Sequence, residues 1–151
     1  MFRGENKVTL DAKGRLAMPT RYRDGLVEDA AGQLVATIDH TDPCLLIYTL
    51  PDWEDIERKL AKLPAMNRMA RALQRQMLGH ATELELDSSG RVLIPPNLRD
   101  YAQLTRDVVL SGQGTRFELW DEQLWVAQRA ATIKLYQSGQ ELPPELSSIL
   151  L

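Results

Sequence analysis

The sequence predicts an α+β protein made of two tandem β–α–β halves packed as one body with flanking helices. Three observations point there. Residues 7–24, KVTLDAKGRLAMPTRYRD, return at 83–100 as ELELDSSGRVLIPPNLRD, with seven of 18 positions identical at a constant offset of 76. Unrelated segments of ordinary composition would share about one. The identities are Leu10/Leu86, Asp11/Asp87, Gly14/Gly90, Arg15/Arg91, Pro19/Pro95, Arg23/Arg99 and Asp24/Asp100. Apolar residues also alternate with polar ones at Lys7–Leu10, a strand period. Finally, amphipathic helical stretches follow the repeated hairpin in each half.

Each element follows from local chemistry. Val8 and Leu10 lead into a turn at Ala12-Lys13-Gly14, where Gly14 supplies a positive φ if one is needed. Arg15 to Met18 form the return strand, and Pro19 opens a helix running to about Leu26. Gln33–Ile38 and Leu45–Thr49 read as strands. From Asp52, WEDIERKLAKL reads as a helix with acids early and bases late, which suits the helix dipole. Pro64 ends it. Residues 65–78 form a further helix with Met66, Met69, Leu73 and Met77 on one face and Arg68, Arg71 and Arg75 on the other. The second half repeats the scheme, ending in a helix from about Asp121 to Gln137. The tail GQELPPELSSILL is expected to be loose or a docking segment. Near His40–Pro43 the first half carries four extra residues in its loop. Gly112-Gln113-Gly114 is a hairpin or loop, because no helix start follows it to make a phosphate cradle.

A unit of about 45 residues buries little core alone, so the two halves are expected to interlock about a pseudo-two-fold. Trp53, Trp120, Trp125 and Phe117 are candidate anchors for that seam, or for contacts between chains.

Composition narrows the function. With 18 Lys+Arg against 21 Asp+Glu, the net charge is −3, so the chain as a whole is not a basic nucleic-acid binder. One cysteine, Cys44, excludes an internal disulfide framework and a cysteine zinc cluster, and it reads as a core residue. His40 and His80 lack companions at a telling spacing. No metal, cofactor, catalytic residue or small-molecule substrate is expected. No apolar run approaches the roughly 20 residues of a membrane helix. MFRGENKVTL shows no apolar signal segment, so the cytoplasm is expected.

The repeated Asp-x-x-Gly-Arg is where chemistry concentrates. Asp11 and Asp87 can cap the turn amides or pair with the arginine across the hairpin. The glycines shape the turn. The arginines are expected to be exposed, offering donors for phosphate or for guanine edges. Residues 1–24 hold six cations against three acids, and the matching positions lose most of them: Lys7 becomes Glu83, Thr9 Glu85, Lys13 Ser89 and Arg21 Asn97. The first half therefore reads as the anion-facing copy and the second as scaffold. Such a run is also what a solvated face looks like. Six further cations between Arg58 and Arg75, with no acid among them, read as a wet helical face or an auxiliary phosphate contact.

MFRG, LDAKGRLAMP, LDSSGRVLIP and the two tandem halves together resemble the MraZ family of bacterial transcriptional regulators, from Met1 to about Gln137. The resemblance implies two SpoVT-AbrB-type domains of double-split β-α-β fold packed as a β-barrel body. Their expected limits are 5–52 and 81–124, with linking helices at 53–80 and a C-terminal helix and tail at 125–151. It implies ring-shaped homo-oligomers, associated with the nucleoid, that bind short direct repeats in double-stranded promoter DNA. Repression of the protein's own promoter and of the adjacent division and cell-wall gene cluster is implied too. Carried over by motif, the DNA-binding residues are Asp11, Gly14 and Arg15, with Asp87 and Arg91. Arg3 and Lys13 join by local charge. Arg91 is left as either a DNA contact or a support of its hairpin. The alternative is an AbrB-like antitoxin that neutralises a partner protein, against which stands the short tail after Gln137.

Overall fold

The computed structural model describes residues 1–149. Its elements are β1 (Phe2–Thr9), β2 (Arg15–Ala17), α1 (Thr20–Ala30), β3 (Gln33–Ile38), β4 (Leu45–Thr49), α2 (Leu50–Ala61) and α3 (Arg68–Met77) in the first half. The second half contributes β5 (Thr82–Glu85), β6 (Arg91–Leu93), α4 (Pro96–Tyr101), β7 (Asp107–Gly114), β8 (Arg116–Asp121), α5 (Glu122–Gln137) and α6 (Pro144–Ser147). The architecture is α+β with antiparallel pairing throughout. Six strands form one sheet in the order β1-β7-β8-β4-β3-β5, and β2 and β6 form a separate two-stranded ribbon.

The halves interlock. First-half β1 pairs with second-half β7, second-half β5 with first-half β3, and β2 with β6. Backbone bonds continue the ribbon at both ends: Met18 N–H donates to Gly90 O at 2.9 Å, and Ile94 N–H to Gly14 O at 2.9 Å.

The central strands are buried on both faces. Leu34, Ala36 and Ile38 of β3 and Leu45 and Ile47 of β4 face the main core with Leu16 and Val92 of the ribbon. Val35, Leu46 and Tyr48 face the other way, onto Trp53 and Leu60 of α2 and Met77 of α3. That two-sided burial is why these strands read as continuous apolar runs.

Phe117 does sit at the seam, stacked on Phe2 of β1 at 4.1 Å and edge-on to Tyr22 of α1 at 5.0 Å. Trp53 packs on Tyr48 of its own half, and Trp120 meets Trp125 within the second.

Several limits differ from the sequence expectation. β1 begins at Phe2, because β7 gives it a partner along its whole length. α1 continues to Ala30, where left-handed Ala31 and Gly32 stop it. α3 starts only at Arg68, with the Asn67 side chain accepting from Ala70 N–H at 3.0 Å. Gly112 lies inside β7, where β1 crosses so closely that a side chain would strike the Arg3 backbone. The extra loop is the turn between β3 and β4, organised by the Asp39 carboxylate, which accepts from Asp42 N–H at 2.8 Å and Thr41 O–H at 2.9 Å. Of the tail, Leu150 and Leu151 lie outside the described residues.

Candidate nucleic-acid interface

The two copies of the repeated motif fold into the same turn. In the first, Asp11 O accepts from Gly14 N–H at 3.0 Å while Asp11 N–H donates to Arg15 O at 3.0 Å. The Asp11 Oδ1 accepts from Lys13 N–H at 2.9 Å and Arg15 N–H at 2.8 Å. In the second, Asp87 Oδ1 accepts from Ser89 and Arg91 N–H, both at 2.9 Å. Gly14 and Gly90 adopt φ of +88° and +77°, the left-handed region that a side chain disfavours. The residue set is thus dictated by the turn: a carboxylate to bind the turn amides, and a glycine to reverse the chain.

The same carboxylates orient the arginines. Asp11 Oδ2 accepts from Arg15 Nε at 2.7 Å. Both alternatives for Asp11, turn cap and cross-hairpin partner, are therefore realised at once, one oxygen for each. The amide and guanidinium donors from Arg15 push the Asp11 carboxyl down to about 2. The Arg91 backbone N–H likewise lowers Asp87. Arg91 Nε lies 3.5 Å from Asp87 Oδ2, within ion-pair range but without hydrogen-bond alignment.

Register then brings the two motifs together. In the ribbon, Arg15 pairs with Leu93, Leu16 with Val92 and Ala17 with Arg91. Leu16 and Val92 are buried, so Arg15, Ala17, Arg91 and Leu93 share the outward face. Arg91 Nη1 stands 3.8 Å from the Asp11 carboxylate that already holds Arg15. Both arginines are about one-third exposed, more covered than the sequence suggested. With Nε of Arg15 occupied by Asp11, its terminal nitrogens make no hydrogen bond among the described residues, on a side chain about one-third exposed. That geometry presents planar donors to paired acceptors.

Lys13 is exposed at the apex of its turn, beside the arginine pair. Arg3 does not join it. It lies eight residues up β1 from Asp11, roughly 26 Å at strand rise. There its carbonyl accepts from Tyr22 O–H at 2.6 Å and its strand pairs with β7. Glu83 and Glu85, which stand where the first half has Lys7 and Thr9, belong to β5 and line clefts beside α2, with Leu50 for company. Strand pairing sets them opposite Val35 and Gln33 of β3. Leu93, 53% exposed opposite Arg15, was not picked out from the sequence; the signal was that its counterpart in the first copy is Ala17.

The chain is thus a duplicated one, whose halves jointly display two arginines beside carboxylates on one ribbon. The family profile described as "MraZ protein, putative antitoxin-like" matches residues 1–76 and again 77–140. Over 151 residues the chain is 53% identical to the transcriptional regulator MraZ of Pseudomonas aeruginosa, covering all of both chains. It is 53% identical over 152 residues to that of Halorhodospira halophila, again covering all of both. It is 55% identical over 150 residues to that of Klebsiella pneumoniae, covering 94% of this chain and 99% of the relative. The chain belongs to the MraZ family, a family of transcriptional regulators and not of enzymes. No helix among the described residues is long and apolar enough to cross a membrane.

Proposed function

We propose that the protein is a sequence-specific DNA-binding regulator that represses its own promoter and the adjacent division and cell-wall genes through short direct repeats. The observation that carries this is the outward ribbon face, where Arg15 and Arg91 converge on Asp11. A two-stranded β-ribbon fits the major groove, about 12 Å wide, and arginine is the residue that pairs bidentately with guanine O6 and N7. The aspartates fix the guanidinium planes before DNA arrives, so little side-chain freedom is lost on binding.

One such face is modest, and the net charge of −3 gives no general attraction to DNA. Tight binding then comes from several chains in a ring, each engaging one repeat. The exposed Met66, just before α3, and Met69, in its first turn, are apolar surface of the kind that contacts between copies would cover. The working place of such a protein is the cytoplasm, at the nucleoid. A footprint on the DNA upstream of its own gene tests the reading. Protection of short direct repeats by the wild type, lost in Arg15→Ala, supports it; no protection there overturns it.

A further inference from the structure

The pseudo-two-fold of the ribbon is broken at one outward pair. Around the axis, Arg15 and Arg91 are equivalent, and so are Ala17 and Leu93. Register sets Leu93 directly opposite Arg15, and Ala17 directly opposite Arg91. Directly opposed strand residues have Cβ atoms about 4.5–5.5 Å apart on the same face. One arginine therefore stands beside a large exposed aliphatic group, 53% open to solvent, and the other beside a methyl. The turns differ in the same sense, Lys13 against Ser89.

We infer that Leu93 is a specificity-determining residue: it recognises the C5-methyl of a thymine next to the guanine read by Arg15, and so gives the site a direction. The inference rests on the DNA reading above. Successive bases of one strand are about 3.4 Å apart along the axis, so a side chain one strand-spacing from Arg15 reaches the neighbouring base pair. In the major groove only thymine offers a methyl, and an aliphatic side chain is the group that reads it. A lone exposed leucine is ordinary on a protein surface. This one lies on the outward face of the ribbon, in register with an arginine of the same face whose terminal nitrogens make no hydrogen bond among the described residues. A symmetric ribbon would read each site equally in either orientation. Leu93 on one side and Ala17 on the other make the two orientations unequal, which a direct repeat requires and a palindrome does not.

The test begins with the duplex that the wild-type protein enriches from a random-sequence pool. Each thymine is replaced singly by deoxyuridine, which removes the methyl and keeps O4. At one thymine beside the guanine to which Arg15→Ala becomes indifferent, the exchange weakens wild-type binding about four-fold per engaged copy, the worth of one buried methyl. Leu93→Ala is insensitive to that exchange. In the double variant Ala17→Leu, Leu93→Ala, the sensitive thymine moves beside the guanine read by Arg91. If Leu93→Ala keeps the wild-type deoxyuridine profile, or no thymine is sensitive, the inference fails while the Arg15 dependence, and the DNA reading with it, stands. If the wild type enriches no sequence, both fail. Circular dichroism checks the fold of each variant, and the single exposed-site variant decides the matter even where the double variant does not fold.

Discussion

Arg23 of the first half lies across Gly90 of the second, and Arg99 of the second lies across Gly14 of the first. Each guanidinium is anchored by its own half: Arg23 Nε donates to Met18 O at 2.7 Å and Arg99 Nε to Ile94 O at 3.0 Å. The glycine it covers returns a backbone bond, Gly90 O accepting from Met18 N–H and Gly14 O from Ile94 N–H. Two of the seven identities in the sequence repeat, Gly14/Gly90 and Arg23/Arg99, therefore form one reciprocal clasp between the halves. A side chain at Gly90 would meet the Arg23 guanidinium and also strain a left-handed backbone.

The first prediction follows from that clasp. Gly90→Ala should destabilise the fold by about 1–3 kcal/mol from backbone strain alone, with displacement of Arg23 added. Urea unfolding measures it. In a double-mutant cycle with Arg23→Ala the two losses should be less than additive, because the shortened side chain removes the collision. Unchanged stability in Gly90→Ala would show that Arg23 moves aside at no cost.

Arg15→Ala should abolish most sequence-specific DNA affinity and leave the fold intact. A bidentate base contact is worth about 1–3 kcal/mol, repeated in every copy engaged. Arg91→Ala should cost less: its Nε is held at 3.5 Å against 2.7 Å for Arg15, and its turn carries Ser89 in place of Lys13. Gel shifts with a circular-dichroism control report both. Equal losses would mean that the arginines read DNA as equals.

Much of this was legible beforehand because the turn is local. Asp11, Gly14 and Arg15 act within five residues, so their identity in both copies already announces a carboxylate-capped turn. The identity of Arg23 and Arg99 was equally visible, but its reason was not, since each lies over a glycine of the other half. Charge counted along the chain does not show which way Glu83 and Glu85 face. They adjoin Arg91 in sequence, while pairing of β5 with β3 directs them toward α2. Arg3 stands apart from the turn in the same way, as an extended β1 pairs it with Gln113 of β7. The outward role of Leu93 needed the β2–β6 register, which no single-strand pattern contains.

Acid should weaken the first turn in a defined window. Asp11 is held at about 2 in the folded protein and titrates near 4 when unfolded. A lowered folded value means stability fully present above pH ~4 and lost as pH falls toward 2. Asp11→Asn keeps an acceptor for the turn amides and removes the charge. The gap in thermal midpoint between wild type and Asp11→Asn should be constant above pH ~4 and narrow toward pH 2. A gap independent of pH would show that the charge of Asp11 contributes nothing to the turn.

The protein should self-associate. Met66 and Met69 are 96% and 79% exposed, and Val126, Ile133 and Tyr136 of α5 stand open as well. Light scattering at micromolar concentration should find a multiple of the 17.1 kDa chain. A clean monomer would remove the avidity on which tight binding depends.

The last prediction concerns spacing on DNA. If each chain of a ring offers one ribbon, rotation around the ring presents every ribbon in the same sense, so the repeats it reads are direct. Sites on one face of the duplex recur about every 10–10.5 base pairs. An insertion of roughly 5 base pairs between two repeats turns the second to the far side of the helix. One copy then loses its contacts, and the avidity gain falls with them. Affinity measured for operators carrying a half-turn insert should drop well below that of the native spacing. A full-turn insert restores the facing and should recover part of the loss, to the extent that the ring deforms to span the longer gap. The direction given by Leu93 adds a further arm: inverting one repeat in place should cost about four-fold, less than the half-turn insert, since the inverted site sets its thymine methyl against Ala17. Equal affinity across every spacing and orientation would mean that the chains bind independently, and assembly would then have no part in recognition.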